Sequence, residues 1–276
     1  MESRWLAIVS LIFLLHISLP VPSFSAASSS KSSIKRSQKR TVTKTIVKRT
    51  VATKIAKKNT ASKNAVAAKK SPYSAAVSRR ITANFKNGNA ARYSPQDLVR
   101  AKVFVHYPLK GGIRKRSGAI RNLVLHSTET GRPAGARTIV RSWNNIGPRH
   151  PGAQYLVDRD GTIIQTADPA YATIHVNDRT SLGGVKNDNS IGIEIVRTGS
   201  QKYTQKQLTS LVALVDYVKD RYGITRVCGH GEIQPSDRTD PVAFDWARFS
   251  RSLASIERNQ LDSKTAYHQE TDRTDG

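Results

Sequence analysis

His126 closes the apolar run Leu123-Val124-Leu125, and His230 sits between Gly229 and Gly231. Asp240 follows ten residues later, inside the string DRTDP. Two imidazoles and one carboxylate make a three-ligand set for zinc that leaves the fourth tetrahedral position to water. A hydrolytic metal needs that vacancy, because a fully coordinated zinc cannot activate water. Spacing alone does not force the three to meet. No HExxH string is present, and packed, hydrogen-bonded histidines at strand ends would leave the same trace. The single cysteine, Cys228, excludes an intrachain disulfide framework and a cysteine-only zinc cluster.

Glu194 adds a second kind of chemistry. It lies in residues 190–196, SIGIEIV, where Ile191, Ile193 and Ile195 alternate with Gly192 and Glu194. Such alternation marks a strand with two unlike faces. A carboxylate there is costly unless it is paired, hydrogen-bonded or at a functional cavity. One reading is a proton acceptor beside a zinc-activated water, with Gly192 leaving room next to it. The other is a buried ion pair with Arg121 or Arg238. Arg238, two residues before Asp240, is fixed in charge. It is either an oxyanion stabiliser or a surface arginine in a loop.

Strands and helices must position these groups. Residues 119–127 (AIRNLVLHS) predict a buried strand. Residues 154–157 and 162–166 flank Asp158-Arg159-Asp160-Gly161, a hairpin signature. Residues 190–196 and 225–229 predict two further strands. The strongest helix follows Thr204, which caps it, with Gln207 completing a capping box. Leu208, Leu211, Val212, Val215, Val218 and Tyr222 form its apolar stripe, and Gly223 ends it. Residues 135–144 and 243–253 predict two more helices. This mixture implies an α/β class: a single domain with a mixed central β-sheet flanked by helices.

The chain of 276 residues carries 45 Lys and Arg against 20 Asp and Glu, a net charge of +25. Residues 28–100 hold 19 of those bases and one acid, Asp97, so the extreme basicity belongs to one segment. Residues 5–19 are apolar apart from Ser10, His16 and Ser18, follow Arg4 and end at Pro20 and Pro22. With Ser25-Ala26-Ala27 behind it, this is a secretory signal pattern, the alternative being an uncleaved anchor. The run is shorter than the roughly 20 residues a spanning helix needs. The expected organisation is a signal peptide over 1–27, a disordered Lys/Ser/Thr/Ala-rich basic linker over 28–94, a folded domain over 95–256 and a flexible polar tail over 257–276. The linker has too little bulky apolar surface to offset its ordering entropy. It reads as a solvated spacer or as a tether to anionic envelope polymers. Nucleic acid is not the expected partner, because interleaved aromatics are missing and secretion separates the two. The expected location is outside the cytoplasmic membrane, in the periplasm or cell envelope.

The strings LVLHST, NDNSIGIEIVRTG and GHGEIQPSDRTDPVAFDW resemble the type-2 N-acetylmuramoyl-L-alanine amidases. That zinc amidase family includes AmpD-like enzymes and the peptidoglycan recognition proteins. The resemblance covers about residues 118–248, and the third string is the most specific. It implies a zinc site at one end of the sheet, with one Zn2+ held by His126, His230 and Asp240. It implies Glu194 as the catalytic glutamate, and a catalytic cation at Arg238, where many members have lysine. His175, in ATIHVND, matches a site-lining histidine and is expected to bind substrate, although Ile174 replaces the usual preceding Trp. Gln154 stands where members often show His. Cys228 is displaced from the third-ligand position and reads as a small core residue. The implied activity is hydrolysis of the amide between the lactyl group of N-acetylmuramic acid and L-alanine, with peptidoglycan as partner. Two alternatives accompany it: a non-catalytic peptidoglycan binder of the same fold, and a cationic envelope-binding protein whose basic segment is the working part.

Overall fold

The computed structural model describes residues 73–274. The expected signal peptide and the linker up to residue 72 lie outside the described residues. A six-stranded sheet organises the rest. Its strands are β1 (Phe104–His106), β3 (Asn122–Ser127), β4 (Tyr155–Val157), β5 (Ile163–Gln165), β7 (Ser190–Ile195) and β8 (Arg226–Gly229). The spatial order is β1-β5-β4-β7-β3-β8. Only the β4–β5 hairpin pairs antiparallel, so the sheet is mixed, as expected. A separate antiparallel pair joins β2 (Ile113–Lys115) to β6 (Tyr171–Thr173). The helices are α1 (Ala75–Lys86), α2 (Pro95–Arg100), α3 (Ala136–Asn144), α4 (Gln205–Tyr222), α5 (His230–Ile233) and α6 (Trp246–Thr274).

Strand alternation divides the sheet into two faces. Leu123, Leu125, Ile191, Ile193 and Ile195 share a core with Leu211, Leu214, Val215 and Val218 of α4. The opposite face carries Val124 and Cys228, which pack with Val176, Val185 and Ile233. Farther along, Leu156 and Ile164 meet Ile139 and Val140 of α3. Helix α4 begins where the sequence requires: Thr204 Oγ1 accepts from the Gln207 N–H at 3.0 Å, and Gln207 Oε1 accepts from the Thr204 N–H at 3.0 Å. It ends at Gly223, whose φ of +65° suits glycine. Among the described residues no helix is long and apolar enough to cross a membrane.

Two boundaries are corrected. The fold takes in residues 73–94, which the sequence places in a disordered linker. In α1, Ser74 caps the first turn, and Val77, Ile81 and Phe85 recur every fourth residue on one side. Phe85 lies edge-on to Phe104 at 5.4 Å and 6.1 Å from Tyr217. Tyr73 donates to Asp97 Oδ1 at 2.6 Å, tying the chain ahead of α1 to α2. Three apolar residues among basic and small ones give a low average, so composition hides the stripe. At the other end, α6 continues past the expected tail boundary. Lys219 of α4 pairs with Glu257 at 2.5 Å, and Gln260 Nε2 donates to the Gly88 carbonyl at 2.6 Å and to Asp216 Oδ1 at 2.9 Å. These partners are polar and distant in sequence, so no apolar period announces them.

Removing the Phe85 ring should cost about 3–5 kcal/mol, the usual range for a buried Phe→Ala change. The lowered urea midpoint of Phe85→Ala measures it. A midpoint equal to wild type would return residues 73–94 to the linker.

Candidate metal and catalytic site

Three adjacent parallel strands deliver the site at their carboxyl ends, the usual location for function in open α/β sheets. In the β3–β7 register His126 stands opposite Glu194, so their side chains leave the same face. Leu125 stands opposite Gly229, which places His230 one step beyond the end of β8. Asp240 arrives on the loop before α6. Gly231 permits that approach: a Cβ there would lie 2.9 Å from the Thr239 Cα. The Gly231 N–H also donates to the Asp240 carbonyl at 2.7 Å. Val242 N–H donates to Ser127 Oγ at 3.1 Å, and buried Arg197 donates to the Val242 carbonyl at 3.0 Å and to Glu129 Oε1 at 2.7 Å. The loop that presents Asp240 is thus pinned to β3 and to the end of β7.

His126, His230 and Asp240 converge. The two Nδ1 atoms are 3.0 Å apart, and Asp240 Oδ2 lies 3.3 Å from His126 Nδ1 and 3.2 Å from His230 Nδ1. Ligands about 2.0–2.1 Å from a tetrahedral zinc stand about 3.3 Å from one another. The triangle therefore has the edge length such an ion requires. Its chemistry fits as well. Gln234 Oε1 accepts the Asn177 N–H at 2.8 Å and lies 2.9 Å from His230 Nε2. An amide oxygen only accepts, so His230 carries its proton on Nε2 and turns a bare Nδ1 toward Asp240. Burial pushes the His126 imidazole below its ordinary pKa despite its contact with Asp240. Burial works against ionising Asp240, but the imidazoles of His126 and His230 beside it outweigh that and hold the carboxyl well below the usual range. Lone pairs facing one another in a buried triangle suit a cation.

Glu194 lines the same cavity of about 400 Å³, together with His126, His230, Asp240 and Arg238. Its Oε2 is shielded from solvent and has no hydrogen-bond partner among the described residues. No ion pair to Arg121 or Arg238 forms, so the paired reading of this carboxylate gives way to the unpaired one. Burial, then the charges of Asp240 and Glu129, push the Glu194 carboxyl up to about 8. A cation at the triangle acts in the opposite direction. Arg238 is half-exposed on the rim, where it donates to the Asp237 carbonyl at 3.1 Å.

His175, expected to bind substrate, lines this cavity and the larger one beside it. Both ring nitrogens are engaged by protein: Nδ1 lies 3.1 Å from His126 Nε2, and Nε2 lies 3.0 Å from Ser190 Oγ. The ring fills the room beside Gly192, where a Cβ would sit 2.8 Å from its Cγ. Gln154 is buried and accepts the Gly192 N–H at 2.8 Å while donating to the Tyr171 carbonyl at 3.1 Å, so it joins β4, β6 and β7. Cys228 is a core residue: it packs with Val124 and Ile233, and burial pushes its thiol up to about 11. Sequence reasoning passed over Gln234, Ser190 and Arg197. Only Gln234 left a trace, its spacing of four residues from His230.

A model of the N-acetylmuramoyl-L-alanine amidase family (Amidase_2) matches residues 116–243. The chain is 36% identical over 113 residues to the 1,6-anhydro-N-acetylmuramyl-L-alanine amidase AmpD of Enterobacter cloacae, covering 40% of this chain and 60% of that protein. It is 38% identical over 109 residues to the protein of the same name from Escherichia coli K12, covering 38% and 59%. The chain thus spans about 60% of the length of these curated relatives. A solved structure of a selenomethionine AmpD derivative aligns with a TM-score of 0.48 at 28% identity, covering 54% of this chain and 94% of that one.

Because the native state holds the Glu194 proton that an unfolded chain releases at the ordinary carboxylate value, ionising it costs stability. The melting temperature of metal-free wild type should fall relative to Glu194→Gln as pH rises from about 5 to about 8. Parallel profiles across that window would show the carboxyl unperturbed.

Proposed function

We propose that residues 116–243, which match the N-acetylmuramoyl-L-alanine amidase family, form a domain of that family, and that the chain is a zinc-dependent amidase of peptidoglycan. It hydrolyses the amide between the lactyl group of N-acetylmuramic acid and L-alanine. The observation that carries this reading is the triangle of His126, His230 and Asp240 with the unpaired Glu194 in the same cavity. A non-catalytic binder has no need of a ligand set and an unpaired buried carboxylate together.

His126 Nδ1, His230 Nδ1 and a carboxylate oxygen of Asp240 would hold the zinc. When bound, zinc supplies Lewis-acid chemistry at that point, activating water and favouring negative charge on a nearby oxygen. Glu194 takes the proton of the attacking water as the new C–O bond forms. It then returns that proton to the amine of L-alanine as the C–N bond breaks, which leaves the base ready for another turnover. Arg238 on the rim supports the developing oxyanion through a permanent positive charge. The cavity alongside, about 850 Å³, is lined by Arg149, Arg179 and Arg238, a charge pattern that suits a substrate bearing carboxylates.

Export is part of the proposal. The apolar run in residues 5–19 directs the chain across the cytoplasmic membrane, where its substrate lies. The basic segment up to residue 72 adds electrostatic attraction to anionic envelope polymers, raising local concentration without altering the chemistry.

Purified peptidoglycan digested by the full chain should release new N-terminal alanine, and a chelator should stop it. His126→Ala and Asp240→Ala should lose stoichiometric zinc and turnover together. Glu194→Gln should retain zinc and lose turnover by about 10²–10⁴-fold, the usual contribution of a general base. Zinc-loaded wild type that releases no alanine would leave the binding reading in its place.

A further inference from the structure

A second chain of hydrogen bonds stands behind the triangle, and its far end settles its direction. Ser190 Oγ lies 2.6 Å from the Lys186 carbonyl, which can only accept, so the hydroxyl proton is committed there. The same oxygen lies 3.0 Å from His175 Nε2. With its own proton spent, Ser190 can only accept from His175, which puts the proton of that ring on Nε2. His175 Nδ1 is then a bare acceptor 3.1 Å from His126 Nε2. His126 must donate across that contact, and its Nδ1 is left as a lone pair facing His230 and Asp240.

We infer that Ser190, acting through His175, fixes the Nε2–H tautomer of His126 and aims its Nδ1 lone pair at the cation position. His175 and Ser190 are positioning residues for metal binding. The inference rests on the zinc reading of the triangle. The surroundings of the relay are built for it. Asn187 Oδ1 accepts the N–H groups of His175 and Val176 at 2.9 and 3.0 Å, and Asn187 Nδ2 donates back to the Val176 carbonyl at 2.8 Å. Asp178 Oδ1 accepts from the Asn187 N–H at 2.7 Å and from Nδ2 at 2.9 Å. Gly192 supplies the space for the ring, since any side chain there would displace it. Loop, strand and ring are thus held in one arrangement, and a ligand whose other nitrogen is held in this way binds metal more tightly than a free-turning one.

The test uses the full chain. Histidine ¹⁵N spectra of the metal-free and zinc-loaded protein should show His175 protonated on Nε2 with a bare Nδ1 in both. Zinc Kd, measured by chelator competition, should weaken by about 10–100-fold in Ser190→Ala and in His175→Phe, the range seen when such outer partners are removed. His175→Gln should recover part of that loss, because its carboxamide oxygen can accept the His126 proton. A role in packing alone predicts the reverse order, since Phe fills the space better than Gln. A His175 ring protonated on Nδ1 would overturn the inference, as would wild-type zinc affinity in folded Ser190→Ala and His175→Phe. Wild type that binds no zinc would instead overturn the metal reading, and the ring protonation of the metal-free protein would still decide the relay. The wild-type spectra also decide it if a variant does not fold.

Discussion

Three electron-pair donors held within 3.3 Å of one another are an unfavourable arrangement on their own. Each could relieve the repulsion by turning, and the surrounding structure blocks that route. Gln234 holds the His230 ring by its far nitrogen, His175 holds the His126 ring in the same way, and the Gly231 contact brings Asp240 up against them. A scaffold that over-determines an unfavourable local state is how proteins keep strained groups in place. What remains to relieve the repulsion is a positive charge at the centre, and the rest of the structure is arranged around that requirement.

Glu194 follows from the same constraint. One oxygen of its carboxyl is shielded and has no hydrogen-bond partner among the described residues, and burial and the charge of Asp240 favour the neutral acid. A cation at the triangle reverses that preference, and so the site and its ion depend on one another: the ion relieves the lone pairs and also restores the anionic base. Parallel strands suit such a design. Their ends are fixed by backbone ladders on both sides, and β3, which carries His126, lies between β7 and β8 along its buried length.

How much of this the amino acids reveal depends on the kind of signal. His126, His230, Asp240 and Glu194 are legible because each breaks a local pattern: an imidazole after an apolar run, a histidine between glycines, an acid inside an alternating strand. Ser190, Asn187 and Gln234 break no pattern, since small polar residues occur throughout loops and strand starts, and their meaning lies in which atom faces them. His175 is legible as a residue of the site, whereas its contacts with His126 and Ser190 are not, because a sequence cannot say which ring atom faces which neighbour. Helix α4 was readable down to its caps, since eighteen residues of stripe and cap leave little freedom. In α1 the same stripe is three residues long, and a basic, polar background dilutes it.

The helices outside the family match show why that match ends where it does. Ile81 and Phe85 of α1, and Phe249 and Leu253 of α6, join the core that α4 forms on one face of the sheet. The polar groups of the site leave the other face. A sheet about 10 Å from its packed neighbours separates the two functions by a full layer. Residues 73–100 and 246–261 can therefore change the stability of the domain by burying more of α4 without touching a group that meets substrate. Residues 116–243 contain every side chain of the triangle, its supports and Glu194. Chemistry constrains that segment residue by residue, whereas burial constrains the flanking helices only by the period of their apolar positions. Sequence resemblance should then persist across the middle segment and fade at both ends, which is the observed extent of the match.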